Sequence, residues 1–301
     1  MNARSGLVAP AALLVTMFFW GSAGTFVRSL ALAIEPENSL AIRYAVLTLI
    51  NIAGLLIAGD WRIDRADIPR FLFAGFIGMA GYNLFFNYGL AEVEAGVAGI
   101  LAATGPLVIA LGAWLVWRER LTVHLLIGVG LALLGALALF WNDLIAATGS
   151  RISLYGVLLV FLSVTCWAIY TIACRPLFAR YSAFAVTAWT MIIAAPPIVL
   201  NASAPLLEVT ARLDARQFIE LIYLTFANGL LATCLWNYGN AKLGNAHAGA
   251  FLYLIPVIAV ASGAIFLGET VTPAIILGGL LTLAGVAIAQ IGPTLRPRRF
   301  A

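Results

Sequence analysis

Charged residues are scarce in this sequence. They account for 10% of the 301 residues, while apolar residues account for 63%; a soluble domain carries about 25% charged residues. A chain of this composition could not cover its own surface with polar groups. The composition therefore predicts an integral membrane protein whose surroundings are the lipid bilayer. The net charge of +4 comes without a basic cluster interleaved with aromatics, so the sequence gives no indication of nucleic-acid binding.

Residues that build catalytic and metal sites are also scarce. The three cysteines all fall in apolar segments, and the two histidines are isolated, at Cys166, Cys174, Cys234, His124 and His247. This pattern predicts neither a disulfide framework nor a metal site, and we expect no cofactor. No acidic residue lies at the centre of an apolar segment, although ion and proton relays usually contain ionisable residues at such positions. The sequence therefore argues against an enzyme, although a membrane-embedded enzyme stays an alternative of a different class.

Ten apolar segments are each long enough to cross a bilayer as a helix, which takes roughly 20 residues. They lie at about 10–32, 39–59, 70–91, 95–117, 121–141, 153–174, 182–201, 217–241, 245–267 and 271–292. Barrel strands are shorter and alternate in polarity. The sequence therefore predicts an all-α membrane protein with ten transmembrane helices.

Lysine and arginine are distributed unequally between the two sides of such a protein. Twelve of the 17 would lie on the side of the termini, four on the other side, and Arg43 within the second helix. The positive-inside rule makes the richer side cytoplasmic. We therefore expect a multi-pass inner-membrane protein with cytoplasmic N- and C-termini. Arg28, Arg43 and Arg175 are predicted near span ends, with side chains that snorkel to the interface.

The tripeptide Asn-Tyr-Gly occurs twice, at 87–89 and 237–239, and the two copies are 150 residues apart. Other residue types that are rare in so apolar a sequence match at nearly the same offset. They form the pairs Pro106 and Pro256, Glu119 and Glu269, Trp20 and Trp167, and Arg28 and Arg175. We interpret the match as a duplicated five-helix unit, over 1–145 and 150–295. Because five is odd, the second copy is inverted, as in many secondary transporters. We predict two inverted repeats around a central cavity, which exchange conformations in alternating access.

Aromatic and amide side chains near the predicted midplane are the candidate substrate contacts. Trp20 and Trp167 are repeat positions near mid-span, where they could form the wall of an apolar pocket. Amides in hydrocarbon need partners and should face the protein interior. The full set is Trp20, Tyr82, Asn83, Asn87, Trp167, Tyr170, Thr171, Asn237 and Tyr253. Ordinary packing or interhelical hydrogen bonding is the alternative for each of them.

Small residues and prolines suggest how the helices pack and bend. Gly105, Pro106 and Pro256 are predicted hinges, because proline frees a carbonyl inside a helix, with a static kink as the alternative. Helices 5 and 10 carry glycines at spacings that allow close approach, at Gly128, Gly130, Gly135, Gly278, Gly279 and Gly285. We expect packing within one chain first and a dimer face second, and favour a monomer.

Several of these features together resemble the drug/metabolite transporter superfamily, in its branch of EamA-type exporters. They are the two five-helix halves, Trp20 followed by Arg28, and the sequence GET at 268–270. The first half keeps only Glu119 of that last motif, within RER at 118–120. Residues 235–259 are similar to the helix 8–9 region of the YddG-type aromatic amino acid exporters. The resemblance implies an inner-membrane exporter of small neutral metabolites, above all aromatic amino acids; another apolar metabolite or drug is the alternative.

Overall fold

The computed structural model describes residues 3–118, 123–139, 153–232, 235–236, 238–239, 251–252 and 254–291. These residues form helices and connections, with no strand among them. Among the described residues, five helical stretches are long and apolar enough to cross a membrane, namely Val8–Ile34, Pro36–Ala58, Ala95–Val116, Leu154–Ala179 and Ala183–Leu200. The chain is therefore an all-α protein with membrane-spanning helices, as its composition predicted.

The helices of the first half are numbered here in chain order. They are α1 (Ala3–Ile34), α2 (Pro36–Ala58), α3 (68–92), α4 (Ala95–Ala102), α5 (Gly105–Trp117) and α6 (Val123–Leu139). Helix α3 is continuous but changes pitch, because Ile68–Phe73 leads into a π-helical stretch at Ala74–Ala80 and then into Gly81–Glu92.

The second half contributes six further helices. They are α7 (Leu154–Cys174), α8 (Ala183–Leu200), the short α9 (Leu206–Ala211), α10 (215–231), α11 (254–267) and α12 (Pro273–Ile291). The π-helical part of α10 is Tyr223–Leu231, and that of α11 is Gly263–Leu267. The described helices overlap all ten predicted segments, while the number of transmembrane helices and the inversion stay predictions.

The fourth predicted segment is not one helix. It is interrupted at 103–104, between α4 and α5, because Pro106 has no N–H and starts a helix more readily than it continues one. The Thr104 hydroxyl donates to the carbonyl of Leu101, 2.7 Å away, and so closes the end of α4. Pro256 similarly lies in the first turn of α11. Pro106 also lies in the middle of the apolar stretch Ala95–Val116, and a hinge role for either proline stays a prediction.

Helices α6 and α12 pack together through glycine. A Cβ at Gly135 would lie 2.5 Å from the Thr282 hydroxyl, and one at Gly285 would lie 2.5 Å from the carbonyl of Gly128. Neither position has room for a larger side chain. The close packing that was predicted for helices 5 and 10 is thus confirmed within one chain.

The two glycines of the repeated tripeptide also serve helix packing. A Cβ at Gly89 would lie 2.8 Å from Cγ2 of Val160, and one at Gly239 would lie 2.5 Å from Cγ of Leu13. Leu13 and Val160 are themselves 147 residues apart, the offset that relates Trp20 to Trp167. The glycine of each copy therefore brings its helix against the first helix of the other half.

Two ends of the helix bundle are named by the residues found there. The Glu35 end contains the turn between α1 and α2, where Glu35 has a φ of 64°, together with the link between α3 and α4. The Asp67 end contains the 59–67 connection, where Arg180 pairs with Asp64 and Asp67. There the N–H of Ala66 and the Arg180 guanidinium lower the pKa of the Asp64 carboxyl.

Candidate functional site

Each of the two predicted central tryptophans packs against an aromatic residue of the other half. Trp20 of α1 lies against Trp236, with ring centroids 5.3 Å apart, and Trp167 of α7 lies against Tyr82 of α3, with centroids 5.1 Å apart. No ring contact among the described residues joins Trp20 to Trp167. The structure thus contains two aromatic pairs that bridge the halves.

The pair at Trp167 is part of a longer row of rings. Tyr82 stacks on Phe86 with centroids 5.6 Å apart, and Trp167 stacks on Tyr170 with centroids 5.1 Å apart. Glycine makes this row possible, because a Cβ at Gly78 would lie 2.7 Å from Cβ of Tyr170, so α3 and α7 nearly touch. Trp167 remains 38% exposed.

Asn83 and Asn87 occupy successive turns of α3, as their spacing predicted. The Asn83 amide donates to the Tyr44 hydroxyl of α2 at 2.8 Å and to the carbonyl of Met79 at 2.9 Å. The Asn87 amide donates to the carbonyl of Asn83 at 2.8 Å. Asn83 therefore links α3 to α2, which agrees with the packing interpretation for that residue.

The oxygen of the Asn87 amide, Oδ1, differs from the nitrogen of the same amide in its hydrogen bonding. Asn87 is buried, and its Oδ1 has no hydrogen-bond partner among the described residues. A buried acceptor left unpaired costs about 1–3 kcal/mol. It is therefore a site where a donor from a ligand would be favourable.

Arg43 is a functional candidate that the sequence interpretation missed. Its side chain was expected to snorkel, but the residue is only 9% exposed, and Nε and Nη1 have no partner among the described residues. The guanidinium is instead within electrostatic range of the Tyr44 and Tyr82 hydroxyls. The signal that could have found it is an arginine inside an apolar segment, which marks a functional site by default.

We group Arg43, Tyr44, Tyr82, Asn83 and Asn87 as the Arg43 site, because Arg43 interacts electrostatically with the two tyrosines, Asn83 contacts Tyr44, and Asn87 contacts Asn83. It lies between α2 and α3, beside the aromatic row. Arg43 is seven residues from the start of α2, or about 10 Å at 1.5 Å per residue. The site is therefore well inside the helical layer and nearer to the Glu35 end.

A second arginine, Arg28 of α1, is fully engaged at the Glu35 end. Its Nη1 donates to the carbonyl of Leu90 at 2.7 Å and also to that of Val93, and its Nε lies 3.2 Å from Oε1 of Glu269. Glu269 also accepts from the backbone N–H groups of Ala95 (2.9 Å) and Gly96 (3.3 Å). We call this set the Arg28 clasp. It ties α1, α3 and the start of α4 to the segment after α11.

The remaining predicted site residues have contacts that do not point to a ligand, or lie outside the described residues. Tyr170 is buried in a core cluster with Tyr44 and Phe71, and the Thr171 hydroxyl donates to the carbonyl of Trp167 in its own helix. Asn237 and Tyr253 lie outside the described residues. Gly105 and Pro106 border the break between α4 and α5, and Pro256 begins α11; motion at these positions stays a prediction.

A buried carboxylate was also missed by the sequence interpretation. Glu220 of α10 is 4% exposed, and its Oε1 lies 2.9 Å from Nε of Arg216, while Oε2 has no partner among the described residues. It belongs to the first turns of its helix rather than to mid-span. A small, shallow cleft lies at the same end of the bundle, between Glu94, Glu269 and Val260, and does not include the aromatic row.

The sequence matches the model of the EamA-like transporter family over residues 8–141 and 154–290. The threonine/homoserine exporter RhtA of Escherichia coli is 30% identical over 95% of this chain and 91% of its own. A probable terminal-alkyne amino-acid exporter of Streptantibioticus cattleyicolor is 27% identical over 92% of this chain and 91% of its own.

One solved crystal structure has the same fold. It superposes with a TM-score of 0.65 and 21% identity, over 96% of this chain and 99% of that one. At this identity the likeness shows the arrangement of helices alone.

Proposed function

The chain belongs to the EamA-like transporter family, and from this premise we propose that it exports small neutral metabolites, above all aromatic amino acids, by alternating access. The family and its named relatives are transporters rather than enzymes. Amino acids are the named cargo of two relatives, which supports this substrate class for the present chain.

The observation that carries the aromatic preference is the row of rings at the junction of the two halves. Tyr82 comes from the first half, Trp167 from the second, and their centroids are 5.1 Å apart. A flat apolar side chain gains from stacking against such rings. A wall with one part in each half would also be opened and closed as the halves move relative to each other.

The proposed mechanism needs two inverted repeats, over 1–145 and 150–295, and the packing supports them. If each helix is replaced by its equivalent in the other repeat, the contact of α1 with α11 becomes the contact of α7 with α4 and α5, and both contacts are present. The helices of the pairs α2–α8 and α6–α12 are equivalent to each other, and each pair is in contact. The π-helical stretches at Ala74–Ala80 and Tyr223–Leu231 also stand at equivalent positions of the two repeats. A pitch change of this kind is frequent at functional sites.

A second candidate is the export of small polar amino acids such as threonine. Its support is the 30% identity with the threonine/homoserine exporter. The two candidates differ in what they require of the rings, because a small hydroxylated side chain gains little from stacking. Trp167 therefore discriminates between them.

The loop charges support an inner-membrane location with both termini in the cytoplasm, and we propose a monomer as the transporting unit. In this orientation the Glu35 end faces away from the cytoplasm. The site between α2 and α3 would then be closed toward that side by the Arg28 clasp.

Uptake into liposomes tests the substrate class. Purified protein is reconstituted, and uptake of radiolabelled phenylalanine, threonine and a dipeptide is measured with and without a pH gradient. We expect phenylalanine uptake above that of empty liposomes, and its loss in Trp20→Ala/Trp167→Ala. Trp61→Ala is the matched control, because Trp61 is 53% exposed in a connection. Threonine uptake that survives the double substitution would favour the second candidate, and no amino acid uptake by folded protein would point to another metabolite.

Alternating access is tested separately by labelling. Single cysteines replace Trp20 and Trp167 in a chain from which Cys166, Cys174 and Cys234 have been removed. A membrane-impermeant thiol reagent should reach each position from one side at a time, and phenylalanine should protect it. Simultaneous labelling from both sides would contradict alternating access.

A further inference from the structure

We propose that the Arg43 site binds the backbone of a zwitterionic substrate, with the Arg43 guanidinium on its carboxylate and Oδ1 of Asn87 on its ammonium group. The inference rests on the proposed function, since it names how an amino acid would be held beside the aromatic row. It also makes a claim of its own, that the ligand must carry a carboxylate.

The first step of the argument is the state of Arg43. A buried charge normally has an ion pair, because an isolated charge in an apolar interior is very costly. Two of the three guanidinium nitrogens, Nε and Nη1, have no partner among the described residues, and none of the described ion pairs includes Arg43. Among the described residues, nothing neutralises this positive charge.

The second step is what surrounds this charge. The described groups that interact with it electrostatically include the hydroxyls of Tyr44 and Tyr82, which are neutral and do not cancel its charge. The Tyr44 hydroxyl is already held by the amide of Asn83 at 2.8 Å. The buried carboxylate of Glu220 is paired with Arg216 at 2.9 Å. Since none of the described residues supplies an anion to Arg43, we assign that role to a ligand.

The third step concerns the chemistry of that anion. The unpaired Nε and Nη1 groups point to different sides of the planar guanidinium, so each offers a charged N–H to an anion, and a carboxylate is an acceptor that forms strong hydrogen bonds with such a group. A phosphate would also accept from these groups. It carries more negative charge, however, and among the described residues no second cation lies in the Arg43 site to balance it.

The fourth step adds the cationic end of the ligand. Asn87 is one turn from Asn83 on α3, is buried, and has an unpaired Oδ1. An unpaired acceptor attracts a donor such as an ammonium group. A lone cation and a lone acceptor on facing helices are the complement of an α-amino acid, whose carboxylate and ammonium are attached to one carbon.

The aromatic row completes the proposed subsite. Tyr82 belongs to both groups, since it interacts electrostatically with Arg43 and stacks on Phe86 and Trp167. A zwitterion held at Arg43 would therefore direct its side chain along these rings. Affinity for the backbone and preference for the side chain would come from adjacent but separable residues.

Equilibrium binding to the full-length chain in lipid nanodiscs tests the proposal. Three probes share a phenyl ring: phenylalanine has both charged groups, 2-phenylethylamine lacks the carboxylate, and 3-phenylpropionate lacks the ammonium. Arg43→Gln should weaken phenylalanine and 3-phenylpropionate about 30-fold or more, as expected when one partner of a buried charge pair is removed, and leave 2-phenylethylamine within twofold. Asn87→Leu should weaken the two amines and spare 3-phenylpropionate.

Controls separate binding from folding. Arg65→Gln removes an arginine exposed in the 59–67 connection and should change no affinity. Arg43→Gln should elute as a monodisperse species with a melting temperature at least equal to that of the wild type, since it removes an unpaired charge. Arg43→Lys keeps the charge but loses the planar guanidinium, and should recover only part of the affinity.

The outcomes distinguish this inference from the proposed function. Phenylalanine binding that Arg43→Gln leaves unchanged would overturn the role of Arg43 and leave amino acid export standing. Arg43-dependent binding of 3-phenylpropionate without any binding of phenylalanine would support the carboxylate site and contradict amino acid export. If the folded wild type binds neither carboxylate, both are overturned.

Discussion

The Arg28 clasp and the Arg43 site each contain an arginine, and the two arginines, on adjacent helices, differ in their hydrogen-bond and ion-pair partners. Arg28 donates to two carbonyls and pairs with Glu269 at 3.2 Å. Arg43 is more deeply buried, yet two of its nitrogens have no partner among the described residues. The charge of Arg28 is neutralised by Glu269, whereas no described residue neutralises the charge of Arg43, which we assign to ligand binding.

This difference teaches how to separate a structural charge from a binding charge. A paired and hydrogen-bonded arginine holds helices together, and its removal leaves an uncompensated carboxylate. An unpaired one destabilises the protein in which it stands, so its presence is better explained by a ligand. The two sites should therefore respond to substitution with opposite signs.

The largest expected effect is at the Arg28 clasp. Arg28→Gln should lower the free energy of unfolding by about 3 kcal/mol, since Glu269 would lose its counter-charge in a mostly buried position. Thermal unfolding in detergent measures it. Arg212→Gln is the control, because Arg212 is 80% exposed and its pair with Glu208 is 3.7 Å long, which is worth about 0–1 kcal/mol. Equal losses in the two variants would remove the distinction between the clasp and a surface pair.

The next largest effect separates the two asparagines of α3. Asn83→Leu should lower the free energy of unfolding by about 1–2 kcal/mol, because the Tyr44 hydroxyl would lose its 2.8 Å partner. Asn87→Leu should cost much less, since it loses only a hydrogen bond to the carbonyl of Asn83 in its own helix and also removes the unpaired Oδ1. Thermal unfolding of the two variants provides the comparison. A larger loss for Asn87→Leu would contradict the assignment of Asn87 to ligand binding.

A smaller change of opposite sign is expected at Arg43. Without ligand, Arg43→Gln should raise the free energy of unfolding by about 1 kcal/mol, as replacement of poorly compensated buried charges often does. Phenylalanine should stabilise the wild type in the same unfolding experiment and not the variant, because a ligand stabilises only the state that binds it. A destabilised Arg43→Gln protein would place Arg43 with Arg28 as a structural residue.

The smallest expected effect lies beside the clasp, at Glu94. Burial raises the pKa of its carboxyl, the charge of Glu269 raises it further, and Arg28 opposes them. The folded state therefore binds this proton more tightly than the unfolded chain does. Glu94 destabilises the protein as pH rises above the ordinary value of 4.5, and not below it.

Glu94→Gln should accordingly raise the melting temperature slightly at pH 7, and the gain should disappear toward pH 4. Glu208→Gln, at an exposed position of the short helix α9, serves as the reference. A gain that is the same at both pH values would show that charge is not its cause.

Much of the candidate site could be selected from the sequence. Trp167 and Tyr82 were chosen for their place near mid-span, and they are in contact. Asn83 and Asn87 were chosen by spacing, which fixes residues four apart on one face of a helix. The structure thus shows contacts among residues that were selected from single helices, and their role as substrate contacts stays a prediction.

The rest could not be predicted, because it depends on distant partners. Arg28 and Arg43 had the same interpretation from the sequence, as snorkelling residues, and the structure gives them different surroundings. Nothing local to either residue distinguishes them.

The sequence by itself determined that this is a helical membrane protein of a known transporter family, since apolar composition, helical length and family pattern are local or additive properties. The tertiary structure alone decided which polar groups are satisfied. Glu269 comes from the far end of the chain to neutralise Arg28, while no acidic residue among those described pairs with Arg43. Whether a buried charge is paired depends on helices that meet only in the folded protein, so the candidate binding charge emerged from the fold.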